Sequence, residues 1–303
     1  MMGRRRGQGG DRLLREASIP WVVRAVTYAL VASILPSPEL FAQGPDRLRD
    51  RGPGIPVSMF ATYIEEGELL VYPFFEYYRD SDAEYAPEEL GYGLDQDFRG
   101  RAGAKEGLIF LAYGFSDRLA VEFEAAVISE WLETSPDDPT AVPDRIEESG
   151  LGDVEGQIRW RWARETDSGP GIFSYFETVA PLQKDKVLIG TRDWEFKLGT
   201  GLVRGFSWGT TTVRMAVEYD RHEDKVEVGE YAIEYLRRLS PSAMLYLGVE
   251  GSEDEVEVIP VVRWFLTPNI SLHLNSGFGA TSKATDWAPE IGLMFSFDQG
   301  GAG

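Results

Sequence analysis

The chain has 303 residues, a formal net charge of −20, no cysteine and two histidines. The acidic surplus argues against a nucleic-acid partner, which requires a basic surface. Without cysteine there can be no disulfide, thiolate metal ligand or thiol nucleophile, and two histidines leave little for a histidine-rich metal centre. Composition therefore leaves a globular or membrane protein whose chemistry does not depend on rare residues. No catalytic residue, metal site or cofactor is predicted from the sequence as a whole.

Residues 1–42 have the pattern of an export signal. Six arginines precede an apolar run of about eleven residues at 25–35, and a small residue, Ala42, follows two prolines. This order predicts a secretory signal peptide. The run is shorter than the roughly 20 residues that a membrane-spanning helix needs. The alternative is an amphipathic surface helix.

The next region, 43–67, begins with prolines and glycines and continues with the apolar stretch VSMFATYI at 57–64. It is expected to form either a periplasmic N-terminal segment or a plug, because the stretch is apolar enough to enter a barrel lumen.

From residue 68 onward, apolar residues recur at every second position, which is the period of a β-strand. Val121 and Phe123, for example, alternate with Glu122 and Glu124. Eight segments show this pattern, beginning near 119, 154, 194, 213, 231, 256, 270 and 291. Four more, at about 68–80, 104–115, 171–180 and 243–251, are assigned as strands from their length and aromatic content. Twelve is an even number, as in bacterial outer-membrane barrels.

Segment length and connections favour a membrane barrel over a soluble sandwich. The segments run for about 10 to 14 residues, whereas sandwich strands average about five or six. Short turns at 116–118, 207–209, 240–242 and 267–269 alternate with connections that include long ones at 81–103 and 132–150. We predict an all-β fold, a transmembrane up-and-down antiparallel barrel over 68–297, with a flexible tail at 298–303.

The tryptophans provide a second indication. They share the apolar face and fall near strand ends, at Trp131, Trp160, Trp162, Trp194, Trp264 and Trp287. Because indole prefers the headgroup level of a bilayer, these residues are predicted to form a lipid-interface girdle.

With the strands laid out, the chain resembles a family of Gram-negative outer-membrane barrels described as transporters of the phenol-degradation meta pathway. The resemblance rests on YGFSDRL at 113–119, GLGD at 150–153 and GLMFSF at 292–297. It implies passage of small, hydrophobic or aromatic molecules, with outer-membrane lipids and the barrel insertion machinery as partners. One departure is that DQGGAG follows Phe297, whereas such chains commonly end on an aromatic residue.

Charged residues occupy the face opposite the apolar one. The predicted lumen-lining residues are Glu122, Glu124, Glu155, Arg159, Arg161, Glu195, Lys197, Arg214, Glu218, Glu230, Glu234, Glu257, Arg263, His273 and Glu290. Residue counts from the turns place Arg214 near Glu234, and Glu122 and Glu124 near the two arginines of 154–162. Such charges could form a constriction that filters solutes by sign. Alternatively, they could form an ion-pair network that fills a narrow lumen.

His273 is expected to be a plain polar lumen residue. An outer-membrane lipid hydrolase would need a serine and a histidine together at the lipid-exposed wall. Ser276 has the opposite parity to His273, and no serine-elbow pattern is present. His222 lies in a charged stretch expected to be solvated. Three functions therefore remain: a passive channel, a closed barrel with a structural or ligand-binding role and, with least support, a lipid hydrolase.

Overall fold

The computed structural model describes residues 45–221, 225–252 and 255–298. Within these residues, twelve antiparallel strands form a closed barrel, which confirms the predicted fold class and strand number. The predicted signal at 1–42, His222 and residues 299–303 of the predicted tail lie outside the described residues. No helix in the described part has the length and hydropathy needed to cross a membrane.

A short 3-10 helix (Asp46–Leu48) and a small hairpin of β1 (Ile55–Pro56) and β2 (Tyr63–Ile64) precede the barrel. The barrel strands are β3 (Glu68–Tyr85), β4 (Phe98–Gly114), β5 (Leu119–Glu133), β6 (Arg145–Ala163), β7 (Gly171–Ala180), β8 (Glu195–Phe206), β9 (Gly209–Asp220), β10 (Lys225–Ser240), β11 (Ala243–Ser252), β12 (Glu255–Thr267), β13 (Ile270–Gly279) and β14 (Ala288–Asp298). Each strand pairs with its sequence neighbours. The barrel closes where β14 pairs with β3, with Phe297 opposite Leu69.

The two faces of the wall differ as the alternation requires. On the outer face, Val127, Met215 and Ile233 are each about 60% exposed. On the inner face, side chains such as Arg159 and Arg214 are buried. An apolar outer surface therefore encloses a polar interior, the arrangement that a lipid-embedded barrel needs.

Two predicted connections are too long. Strands β3 and β4 extend until Tyr85 pairs with Phe98, and β5 and β6 extend until Glu133 pairs with Arg145. The connections are therefore 86–97 and 134–144 rather than 81–103 and 132–150. Polar residues on both faces of these strand ends hide the two-residue period, although their backbones still pair. As a result, β3 to β6 have 15 to 19 residues, whereas β7, β11 and β13 have 10.

The connections define two ends of the barrel. The end that carries 115–118, 207–208, 241–242 and 268–269 is called the short-turn end, and the opposite end the long-loop end. Asp298, predicted to begin the tail, is instead the last residue of β14.

Replacing Met215, midway along β9, with arginine should destabilise the barrel by about 2–4 kcal/mol, because a charge there would face the bilayer midplane. The matched change Val226→Arg, on an exposed side chain near the end of β10, should cost only about 0–1 kcal/mol. Urea unfolding of the protein refolded into vesicles measures both. Equal costs would contradict the membrane orientation of this wall.

Candidate functional site

The segment 45–67 packs against the inner face of the barrel. Ile55, Val57 and Ile64 join a buried cluster with Tyr72 of β3 and Phe110 of β4. On the other side of the hairpin, Ala61 belongs to a second buried cluster, formed by inward residues of β10 to β12. The hairpin therefore contacts opposing parts of the wall and occupies the interior between them.

Polar contacts hold the same segment. The Ser58 amide donates to Glu122 Oε2 at 2.9 Å, and Arg161 Nη1 donates to the Gly54 carbonyl at 3.0 Å. On the far wall, Arg263 Nη1 donates to the Ala61 carbonyl at 3.3 Å. These contacts satisfy backbone groups that would otherwise be buried without partners.

Further contacts fix the start of the segment at the short-turn end. Arg51 and Glu165 form an ion pair in which the side chains are only 3% and 1% exposed. Asp50 Oδ1 accepts from the Arg238 amide at 2.9 Å. Gly205 is needed because a Cβ there would lie 1.8 Å from the Arg47 carbonyl oxygen. The segment therefore lies close to the mouth at this end.

Tyr63 connects the hairpin to β9. Its hydroxyl lies 3.4 Å from Thr212 Oγ1, and the Arg51 guanidinium lies 5.2 Å from its ring centroid. Burial raises the pKa of Tyr63 to about 12. The hydroxyl therefore stays protonated to a higher pH than that of an exposed tyrosine.

Two buried arginines of the predicted lumen set, Arg159 and Arg214, form ion pairs. Arg159 Nε lies 2.5 Å from Glu122 Oε1, with both side chains almost fully buried. Arg214 contacts three carboxylates: Nε lies 2.7 Å from Glu234, Nη2 lies 2.7 Å from Glu250, and Nη1 contacts Glu230. The ion pairs of Arg214 leave a surplus of negative charge on this wall.

The other predicted contacts of Arg161 and Glu124 are wrong. Arg161 donates to backbone carbonyls of the N-terminal segment and of Asp117 rather than to a glutamate. Glu124 lies opposite Glu155 in the strand register. Residue counts from the turns do not predict the contacts of Arg161, because they do not include the inserted segment whose carbonyls bind this arginine.

The remaining predicted lumen residues occupy several environments. Lys197 lies 2.9 Å from Glu177 and 3.8 Å from Glu218. Arg263 Nε donates to Ser271 Oγ at 3.0 Å. Glu290 accepts from the Tyr72 hydroxyl and is buried. The inner-face residues Glu195 on β8 and Glu257 on β12 lie toward the long-loop end of their strands.

His273 is only 2% exposed, and its Nε2 lies 3.2 Å from Ser271 Oγ. Its ring lies 5.0 Å from the Tyr72 ring. These contacts place the imidazole in the interior, away from the lipid-exposed wall where a lipid hydrolase site was considered.

Several inward carboxylates were missed. Glu76, Glu106, Glu177 and Glu250 lie in β3, β4, β7 and β11, whose sequences lack a clean two-residue alternation, so the predicted lumen-lining set omits them. In β3 the inward position of Glu76 can be inferred from its spacing. Glu76 follows the buried residues Tyr72 and Phe74 in steps of two, so all three side chains lie on the same face of the strand.

The structure places the tryptophans near strand ends. Trp160 lies opposite Leu119 and Trp264 opposite Ala243, both near short turns. Trp194 and Trp287 immediately precede β8 and β14, and Trp131 lies near the end of β5, where the Arg145 guanidinium is 4.6 Å from its ring. Of the six tryptophans predicted to form the girdle, those with exposed side chains are Trp160, Trp162, Trp194, Trp264 and Trp287. Their role as a lipid-interface girdle stays a prediction.

Two cavities lie along the inner wall. The first, of about 240 Å³, lies between the hairpin and β3 to β7, and the second has about 310 Å³. They share Leu108, Glu124 and Glu155, and the second extends to Asp153 and Thr191 near the long-loop end. The shared residues make the two spaces neighbours along the barrel.

The fold has counterparts among solved structures. The chain is similar to an outer membrane channel from Pseudomonas putida F1, with a TM-score of 0.57 and 15% identity, over 77% of this chain and 97% of that one. The translocator domain of the Neisseria meningitidis autotransporter NalP gives a TM-score of 0.49 at 9% identity, over 77% and 90% of the two chains. The Ralstonia pickettii toluene transporter TbuX gives 0.39 at 8% identity, over 78% and 90%. No protein-family model and no curated protein sequence matches the chain.

Neutralising Arg214 and Glu234 together, as Arg214→Gln/Glu234→Gln, should raise single-channel conductance and shift selectivity toward cations. Glu230 and Glu250 would lose their countercharge and so attract cations more strongly. Conductance steps and the reversal potential in a salt gradient measure the two effects in planar bilayers. Arg221→Gln, at an exposed position beyond β9, serves as the control and should change neither. Unchanged values in the double variant would exclude this cluster from the conducting path.

Proposed function

We propose that the protein is an outer-membrane channel for passive uptake of small molecules, with the segment 45–67 as a plug in its short-turn half. The observation that carries the proposal is the pair of adjacent, carboxylate-lined cavities within a closed barrel. A polar interior with open space, enclosed by an apolar outer wall, is typical of barrels that serve as channels. The charge, the width and the plug would set selectivity, and no catalytic step is involved.

The outer-membrane location rests on three observations. The sequence begins with a predicted export signal, the outward side chains are apolar and exposed, and the tryptophans lie near the strand ends. The proposed partners follow from this location: outer-membrane lipids around the wall, and the insertion machinery that delivers such barrels. With both termini of the barrel at the short-turn end, that end would face the periplasm.

For the solute, the proposal follows the family resemblance of the three sequence motifs, which implies small hydrophobic or aromatic molecules. The aromatic side chains that line the first cavity, Phe60, Phe74 and Phe110, are compatible with this class.

A closed barrel with a structural or ligand-binding role is the second candidate. It is favoured by the buried ion pairs and by the hairpin that bridges opposing walls. If the plug never leaves the lumen, the barrel stays closed to solutes and can serve only a structural or ligand-binding role.

Single-channel recording of the full mature chain in planar bilayers distinguishes the two. A channel should give discrete current steps when the protein is added, with occasional closures as the plug moves. Protein that inserts, as shown by protease protection of the barrel in the same lipid, but gives no current would overturn the channel proposal and favour the closed barrel.

A further inference from the structure

The first cavity is lined by two chemically different sets of side chains. Met59 and Phe60 of the hairpin and Phe110 of β4 form the apolar set. The other set consists of carboxylates of the wall, among them Glu76 and Glu124, and Glu124 lies opposite Phe110 in the strand register. No lysine or arginine lines this cavity among the described residues. The cavity is therefore suited to a ligand with an apolar body and a positive charge.

The carboxylates are arranged at an electrostatic cost. In the strand register Glu76 lies opposite both Glu106 and Glu290, and Glu124 lies opposite Glu155. Like charges directly opposite on neighbouring strands are destabilising. Within the described residues, Glu76, Glu124 and Glu155 form no ion pair. A cation bound between them would remove the repulsion, so the wall favours a positively charged ligand.

A second feature of the cavity also indicates a ligand. Gln157 is only 6% exposed and lines the cavity, and its Nε2 donates to Glu177. Its Oε1 is buried and has no hydrogen-bond partner in the described structure. A buried carbonyl oxygen without a partner costs about 1–3 kcal/mol. An N–H group of a ligand is the kind of donor that would satisfy it.

We propose that this cavity binds a small organic ammonium ion whose apolar body lies against Met59, Phe60 and Phe110. The ammonium group lies between Glu124 and Glu155 and donates to the free oxygen of Gln157. The inference rests on the proposed channel function and narrows its solute class from aromatic or hydrophobic molecules to amines that carry such a body.

A bare metal ion fits this cavity less well. No group of three or more acidic residues or histidines in the described chain is arranged to hold a metal. A metal ion would also leave the apolar side chains of the cavity without a partner. Anionic solutes are disfavoured by the unpaired carboxylates.

Calorimetric titration of the full mature protein, refolded in detergent, tests the proposal with a matched pair of probes. The probe 2-phenylethylammonium should bind at least about tenfold more tightly than 2-phenylethanol, because only the cation gains charge-assisted contacts. Methylammonium, which lacks the ring, should also bind more weakly. Equal binding of ammonium and alcohol would overturn the proposal.

Variants locate the binding. The double substitution Glu124→Gln/Glu155→Gln removes a repulsive pair, so the barrel should still fold. The variant should bind 2-phenylethylammonium about tenfold or more weakly than the unsubstituted protein does. The control Glu257→Gln removes an inward carboxylate of β12 that does not line this cavity, and it should leave the affinity unchanged. Undiminished binding in the double variant would reject the site.

The same probes separate this inference from the channel proposal. If the protein gives current steps but binds the ammonium probe no more tightly than the alcohol, the channel proposal is retained and the amine site is rejected. Tight ammonium binding by a barrel that conducts no ions would keep the site and reject the channel.

Discussion

Deletion of residues 45–64 from the mature chain is expected to raise single-channel conductance severalfold. The segment occupies the interior between opposing walls, where the Ser58 amide contacts Glu122 and Arg263 contacts the Ala61 carbonyl. Its removal would open the lumen at the short-turn end, where Ser58, Met59 and Phe60 line the first cavity. Planar bilayer recordings of the deletion variant and the full mature chain under one voltage protocol measure the change.

A smaller perturbation provides a graded comparison. Glu165→Gln breaks the buried ion pair with Arg51 and should increase the frequency of opening while preserving the fully open conductance. Asp167→Asn changes the neighbouring pair with Arg47, in which the aspartate side chain is 94% exposed, and should leave gating unaltered. If the deletion variant and the full chain conducted equally, the segment would not be a plug.

The second large effect is expected at the buried ion pair between Arg159 and Glu122. Arg159→Met should destabilise the barrel by about 3–5 kcal/mol, because Glu122 would be left as an uncompensated buried charge. The substitution also removes the guanidinium that lies 4.9 Å from the Tyr175 ring and donates to the Pro56 carbonyl. Urea unfolding in vesicles, followed by tryptophan fluorescence, provides the measurement.

The double variant Glu122→Gln/Arg159→Met should recover most of that loss, because replacing both charges removes the desolvation cost. Arg164→Met serves as the control. The Arg164 guanidinium holds the pKa of Asp117 below its usual range. Because this pair is exposed, Arg164→Met should lower the free energy of unfolding much less than Arg159→Met does. If Arg159→Met behaved like Arg164→Met, the buried pair would not stabilise the barrel.

The fold was predictable because a barrel wall imposes one rule on every strand. Alternation at Val121, Glu122 and Phe123 is visible in the sequence of that strand alone. Eight segments of this kind, together with four assigned from their length and aromatic content, predict the strand number. The rule fails where a strand leaves the bilayer, which explains why the ends of β3 to β6 were assigned to loops.

The interior was less predictable. Parity identifies Arg159 and Arg214 as inward residues, but their partners depend on strand stagger and on what fills the lumen. The backbone carbonyls of Pro53 and Gly54, in the inserted segment, accept hydrogen bonds from Arg161. The pattern of side chains in the sequence cannot predict a contact made by backbone carbonyls. Glu250, the third carboxylate on Arg214, lies in a strand whose faces could not be separated from the sequence alone.

The unequal strand lengths have a consequence for how molecules arrive. Strand β6 has 19 residues and β13 has 10, so at about 3.3 Å per residue and a tilt near 40° one side of the rim stands about 20 Å higher than the other. The shorter strands, which include β7 to β9 as well as β11 to β14, end lower, and the rim there would lie closer to the bilayer surface. If the barrel conducts solutes as proposed, a molecule already concentrated among the lipid headgroups would have a shorter sideways route into it than one descending from bulk solution.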